Sequence, residues 1–373
     1  MLDILIGIPS YNEADSISHV TKIIDIGLRK YFPNLNAVIV NSNNDSSDGT
    51  KDVFLSTSTF AKKVYLNTGK NSKGKGRNIL KIIKYAKDNN AKAIALFDAD
   101  VKSIESKWVK LLLFPVLKDG VDLVTPLYRR NRMEGNTTNH LMYPYLYAIY
   151  NMKIQQPIGG EFGVSKKLYE KIINQKKWES TYLYGIDIMI TALALKNKMK
   201  IKQQYLGRKM HKPSFPKQRK ISSTELDTLF HIFIESKEKR FLNKNPSRIM
   251  NLVDKEIIYP NKKWIDKSHQ ITKIYIRKNR KSLQNNFKQL DGEFFINDNY
   301  KNFITKNIWV EILADAYKQL NNKNISQLKE QLSELLLCRI YKFWIDIKKM
   351  NLKQVDKEIQ EQTKLLKIFL SSS

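Results

Sequence analysis

The run Ala95-Leu96-Phe97-Asp98-Ala99-Asp100 constrains the fold most, because an apolar segment breaks there at two carboxylates one residue apart. A buried strand that delivers acids to its carboxyl end belongs to an α/β sheet, and that edge is where such sheets bind ligands. Strand residues alternate faces, so Asp98 and Asp100 point the same way if the strand continues, and a turn brings both toward one cation. Hard oxygen donors suit Mg²⁺ or Mn²⁺, which can clamp a diphosphate. Asp-x-Asp also closes ordinary strand-to-loop turns, so the rest of the chain has to decide.

Periodicity supplies the frame. Residues 2–8 read as a first buried strand, followed by the loop Pro9-Ser10-Tyr11-Asn12-Glu13 and an amphipathic helix over 14–31. A second strand at 37–40, a polar capping-rich loop at 43–50, a helix over 50–57 and a strand at 63–66 come next. The basic loop 69–78 opens a helix carrying Ile79, Leu80, Ile83 and Ala86, which returns the chain to the Asp98 strand. Beyond it lie a strand at 121–124, a loop with Arg129, Arg130 and Arg132, a helix over 139–150, a glycine turn at 156–163, a helix over 183–195 and a strand at 201–206. Such alternation predicts a mostly parallel sheet with helices on both faces. Past Glu225 glycine thins out and helical patterns fill 308–320, 325–348 and 352–370. The expected division is a sheet domain over 1–224 and a helical extension over 225–373.

Charge narrows the partners. The chain has 65 Lys and Arg against 36 Asp and Glu, a formal net charge of +29, which favours anionic partners. Lysine is spread evenly, without the interleaved aromatics of a base-stacking groove, so a solvated basic surface is expected and no nucleic-acid partner. Cys338 is the sole cysteine, so neither an intramolecular disulfide nor a multi-cysteine zinc site can form, and a reducing, cytoplasmic setting is expected. The apolar start, residues 1–8, is too short to span a membrane and lacks the basic opening of a signal peptide.

Several motifs then agree in order. Ile8-Pro9-Ser10-Tyr11-Asn12-Glu13, Asp48-Gly49-Thr50 and Asp98-Ala99-Asp100 resemble the nucleotide-sugar glycosyltransferases of family 2 with the GT-A fold. Gly74-Lys75-Gly76, Gln156-Pro157-Ile158-Gly159-Gly160-Glu161, and Tyr184-Gly185-Ile186-Asp187 followed by His211 are similar to the retaining branch of mannosylglycerate and glucosyl-3-phosphoglycerate synthases. The helical tail, with Trp309 in an apolar helix, resembles the extension of that branch. Two departures stand out: Asn43-Asn44-Asp45 replaces an acidic pair, and Asn136 stands where an acceptor-phosphate Arg is expected, although Thr138 and Pro144 fit.

The resemblance implies a Rossmann-like α/β GT-A domain with an α-helical carboxyl-terminal extension. It implies an enzyme that moves glucose or mannose from a GDP- or UDP-sugar to D-glycerate or 3-phosphoglycerate, making a compatible solute with a divalent cation, Mg²⁺ or Mn²⁺. Pro9, Tyr11, Glu13, Asp45, Lys75 and Asp98 are the expected donor-binding residues, Tyr11 stacking on the base and Lys75 approaching the diphosphate between its glycines. Asp100 and His211 are the expected metal ligands. Arg132, Thr138, Gly159 and Gly160 are expected to hold a small anionic acceptor, the glycines through backbone amides. Glu161 orients a sugar hydroxyl, and Asp187, at a helix start, orients acceptor or donor hydroxyls. A lipid or glycan acceptor at a membrane is the second reading, against which stands the lack of a transmembrane segment or an obvious basic amphipathic anchor. A nucleic-acid-binding protein ranks third. The apolar stripes of the tail are compatible with a homodimer.

Overall fold

The computed structural model describes residues 2–69, 72–236, 252–254, 257–290, 292–296 and 300–371. Two compact units result, and neither is one run of sequence: Met1–Tyr128 with Gln156–Lys212 form the first, Arg129–Gln155 with Pro213–Ser373 the second. The border expected at residue 224 thus falls at 212, and Arg129–Gln155, expected in the sheet domain, joins the helices. The reason is visible in the helix Tyr143–Tyr150, apolar around most of its circumference. Its Tyr145 is buried edge-on against Phe230, with the hydroxyl donating to the Leu313 carbonyl at 2.9 Å.

The first unit is built on a seven-stranded sheet of β1 (Ile4–Ser10), β2 (Ala37–Asn43), β3 (Lys62–Asn67), β4 (Ala93–Leu96), β5 (Leu123–Arg129), β6 (Phe162–Ser165) and β7 (Ile201–Arg208). The spatial order is β3-β2-β1-β4-β6-β5-β7. β1 runs parallel to β2 and β4, and β2 parallel to β3, while β6 is antiparallel to β4 and β5. All seven residues of β1 are buried, as a strand covered on both faces requires. Gly7 belongs there because a Cβ would lie 2.6 Å from Ile82 Cγ2 of the helix Lys75–Asp88. The helix Ile17–Tyr31 buries Ile17, Val20, Ile24 and Leu28, one stripe at helical spacing, each side chain contributing roughly 1.5–3 kcal/mol. Trp108 and Phe97 fill the same core.

This topology positions the site. Parallel β1, β2 and β4 bring their carboxyl ends, and the loops that follow, to one edge. Because β6 is antiparallel, with Phe162 opposite Leu96, the residues just before β6 reach that edge too.

In the second unit the helices are Tyr143–Tyr150, Gln218–Glu235, Lys262–Lys278, Lys306–Lys318, Ile325–Ile347 and Leu352–Ser371, with shorter turns between. The last three lie within two residues of the expected spans. Among the described residues no helix is long and apolar enough to cross a membrane.

Candidate active site

Two loops are tied together at the ends of β1 and β2. Asn12 N donates to Ser46 Oγ at 2.8 Å, Glu13 N to Thr50 Oγ1 at 2.9 Å and Ala14 N to Asp48 Oδ2 at 3.0 Å. Asn12 and Asp45 both take a positive φ of 56°, which short polar side chains tolerate. The expected donor residues are therefore grouped: Pro9 is buried in β1, Tyr11 is exposed with Lys73 Nζ 5.1 Å from its ring centroid, and Asp45 accepts from Asn67 Nδ2 at 3.2 Å. Asn43 and Asn44 act as ties, Asn43 Oδ1 accepting from Ser46 N and Asn44 Nδ2 donating to the Gly74 carbonyl at 3.1 Å.

β4 ends at Leu96, so Asp98 and Asp100 stand in the turn beyond it rather than on the strand. Asp98 is the hub. Its Oδ1 lies 2.8 Å from Lys75 Nζ and its Oδ2 3.1 Å from Lys209 Nζ. Lys75 also pairs with Asp187 Oδ2 at 2.8 Å, and Lys209 with Glu161 Oε2 at 2.8 Å and the Gly159 carbonyl at 2.8 Å. Tyr128 Oη donates to Glu161 Oε2 at 2.5 Å. Lys209 and Glu161 are 4% and 0% exposed while Asp98 and Lys75 are 22% and 16% exposed, so solvent meets the network at the Asp98–Lys75 pair. Burial alone would raise Asp98, but Lys75 and Lys209 hold its carboxyl well below the usual range. Burial outweighs Lys209 at Glu161 and Lys75 at Asp187, and both are raised. Asp187 Oδ1 is buried with no donor among the described residues.

The glycines around Lys75 serve packing. A Cβ on Gly76 would lie 1.9 Å from the Thr181 carbonyl oxygen, and one on Gly74 2.2 Å from that of Tyr182, while Gly76 N donates to Leu183 O at 2.8 Å. Backbone thus lies on backbone, which aims Lys75 at Asp98 and Asp187. In this structure both contacts of the Lys75 ammonium are carboxylates. Gly160 is similar, for at φ 94° a Cβ would lie 2.2 Å from Asp98 Oδ2, and a Cβ on Gly159 would lie 2.1 Å from Pro126 Cγ. Their smallness lets the turn close over Asp98.

Lys212 completes the other side. Its Nζ lies 2.7 Å from Glu13 Oε2 and 3.0 Å from Asp15 Oδ1, and its amide donates to Asp100 Oδ2 at 3.2 Å. Burial raises both Asp100 and Glu13, with repulsion from Asp98 adding at Asp100 and repulsion from Asp100 at Glu13. His211 is held between Met210, whose carbonyl accepts from Lys102 N at 2.8 Å, and Lys212, so its backbone lies beside Asp100. Six acids, Glu13, Asp15, Asp98, Asp100, Glu161 and Asp187, are thereby linked to three lysines, 75, 209 and 212. A locally acidic patch in a chain of net charge +29 is suited to a cation. Among the described residues no cluster of three or more His, Cys, Asp or Glu forms a metal cage. Asp100, a hard oxygen donor at the edge of this patch, is the kind of ligand that would suit a divalent ion taking most of its oxygens from phosphates and water.

Arg132 and Thr138 belong to the second unit, where Arg132 Nη1 donates to the Met350 carbonyl at 3.0 Å and Thr138 is buried at the start of a π-helical turn. Lys209, Lys212 and Tyr128 were not expected at all. The one signal for the lysines was their closeness to His211 in sequence.

Residues 5–177 match the profile of glycosyl transferase family 2. No curated protein sequence matches the chain. Among solved structures, glucosyl-3-phosphoglycerate synthase from Mycobacterium tuberculosis in complex with Mn²⁺, UDP and phosphoglyceric acid is similar at a TM-score of 0.51 and 20% identity, over 62% of this chain and 78% of that one. The same enzyme with Mg²⁺ and UDP gives a TM-score of 0.51 and 20% identity, over 62% and 79%. At such identity the likeness is one of fold, a GT-A-like sheet.

Proposed function

We propose, for a chain that residues 5–177 mark as a nucleotide-sugar-dependent glycosyltransferase resembling family 2, that it moves glucose or mannose to D-glycerate or 3-phosphoglycerate with retention at the anomeric carbon. The observation that carries the reading is the excess of linked acids over lysines around Asp98 and Asp100. A nucleoside diphosphate is itself anionic, so it enters such a place accompanied by a divalent cation. Asp100, with His211 beside it, would hold that ion, and Mn²⁺ or Mg²⁺, present in the similar synthase structures, would stabilise charge on the departing diphosphate. UDP in those same structures favours a UDP-sugar donor.

The remaining work falls to the chain's own residues. Tyr11 offers an exposed ring to a base, and Glu13, pinned by Lys212, offers a carboxylate to a ribose hydroxyl. Lys75 and Lys209 fix Asp98 and Asp187 in place, and Asp187 Oδ1 is left as an acceptor for one hydroxyl of the sugar or the acceptor, with no donor among the described residues. Catalysis is then chiefly positioning and electrostatic stabilisation. Incubation with UDP-glucose or GDP-mannose, Mn²⁺ and a panel of acids tests it, with an α-linked glycerate or phosphoglycerate product expected. No product from any glycerate-type acceptor rejects the acceptor, and a β-linked product rejects retention.

A further inference from the structure

The helix Lys262–Lys278 of the second unit presents a basic amphipathic surface that is not obvious in the sequence. It buries one stripe, Ser268, Thr272 and Ile276, at four-residue spacing. The opposite face carries Ile271 and Ile274, exposed at 41% and 66%, with Lys267 and Lys278 on the same outward arc at spacings of three and four. Trp264, in the first turn, is also exposed. Between Lys262 and Lys281 the sequence has eight Lys and Arg and one acid, Asp266.

The segment leading into this helix continues the pattern. Ile257, Ile258 and Tyr259 are all exposed, and their position is enforced: Asn131 Nδ2 donates to the Ile258 carbonyl at 2.9 Å, and Ile258 N donates to Asn131 Oδ1 at 3.2 Å. A buried side chain therefore holds apolar residues out toward solvent. Two isoleucines in succession, a tyrosine and a tryptophan close to lysines are the composition of a surface that sits at the lipid headgroup boundary.

We infer that the outer face of Lys262–Lys278, together with Ile257–Ile258–Tyr259, docks on an anionic lipid bilayer. Charge decides the occupant. Basic side chains near an anionic headgroup layer are attracted to it, while Ile271, Ile274 and Trp264 enter the acyl boundary. A second copy of the chain meeting this face by a two-fold axis would set lysine against lysine. A nucleic acid would find one tryptophan and no series of stacking aromatics. The docking is independent of which acceptor the transfer reaction uses, and goes beyond it by bringing the enzyme to a surface.

Trp264 provides its own reporter, since Trp108, Trp178, Trp309 and Trp344 are each no more than 9% exposed. The full-length protein is titrated with phosphatidylcholine vesicles, with and without phosphatidylserine, following tryptophan emission and vesicle co-sedimentation. Emission shifts to the blue and protein sediments only with phosphatidylserine present, and the shift is absent in Trp264→Phe. Both the double variant Ile271→Glu/Ile274→Glu and the double variant Lys267→Glu/Lys278→Glu weaken vesicle binding by about tenfold or more. Their unfolding midpoints, measured alongside, stay at the parent value, because all four positions are exposed. The inference is overturned by no binding to phosphatidylserine vesicles, by equal binding of the variants, by a shift that an RNA oligonucleotide produces and vesicles do not, or by a shift that follows protein concentration without lipid.

Discussion

Lys209 Nζ lies 2.8 Å from Glu161 Oε2, with both side chains shut off from solvent and both within hydrogen-bonding range of the Asp98 turn. The pair exists because β6 is antiparallel, which puts Glu161 at the carboxyl end of β4, and because β7 ends one residue before Lys209. Removing one partner strands a buried charge. Lys209→Met is expected to lower the unfolding free energy by about 3–5 kcal/mol, and adding Glu161→Gln in the same chain recovers part of that loss. Chemical denaturation of the two variants measures it.

Gly76→Ala tests the backbone cradle under Lys75. With 1.9 Å between its Cβ and the Thr181 oxygen, the start of the helix Lys75–Asp88 must lift off residues 181–183, a loss of roughly 2–3 kcal/mol by overpacking. Gly49→Ala is the contrast: nothing lies within 4 Å, so only its φ of 85° matters, and about 1 kcal/mol is lost. Thermal unfolding should rank Gly76→Ala well below Gly49→Ala, and equal midpoints would remove the cradle.

Asp187→Asn keeps the shape of a side chain whose Oδ1 is buried without a donor among the described residues. If that oxygen orients a reacting hydroxyl, turnover falls on the order of a hundredfold while nucleotide affinity holds. Steady-state kinetics and a UDP titration separate the two, and a proportional loss of both would assign Asp187 to donor binding instead.

His140 makes acid sensitivity specific. In the second unit its Nδ1 faces Gln362 Oε1 at 3.1 Å, an oxygen that also accepts from Arg339 Nε at 3.2 Å. Burial, reinforced by Arg339, pushes the imidazole down from 6.5 to about 3. The unfolded chain therefore takes up a proton that the folded one refuses between those values. Stability contributed by neutral His140 is complete above pH 6.5 and is lost as pH falls toward 3, at up to about 1.4 kcal/mol per unit. Denaturant titrations across this window should show a shallower slope for His140→Asn than for the parent.

Most of the sheet was legible because β1, β2 and the helix between them carry long apolar periodicities, and the Asp98 turn announced itself by breaking one. The direction of β6 was not, since four residues, Phe162–Ser165, encode neither pairing nor polarity. Lys75, Asp98, Glu161 and Asp187 were named singly, yet that they form one ion-pair network depends on tertiary closure around Gly76 and Gly160. Lys209 lay outside every motif, and one lysine among so many gives no hint that it is buried. The unit to which Arg129–Gln155 belongs was not legible, because a helix as apolar as Tyr143–Tyr150 states that it is buried but not by which neighbours.

The measurement closest to the central claim is a UDP titration followed by thermal unfolding, with and without Mn²⁺, on the parent and on Asp100→Ala. Ligand that binds only the folded state raises the midpoint. UDP with Mn²⁺ should raise it well above UDP alone in the parent, and that extra rise should vanish in Asp100→Ala. An equal Mn²⁺-dependent rise in both proteins would contradict a cation held at Asp100.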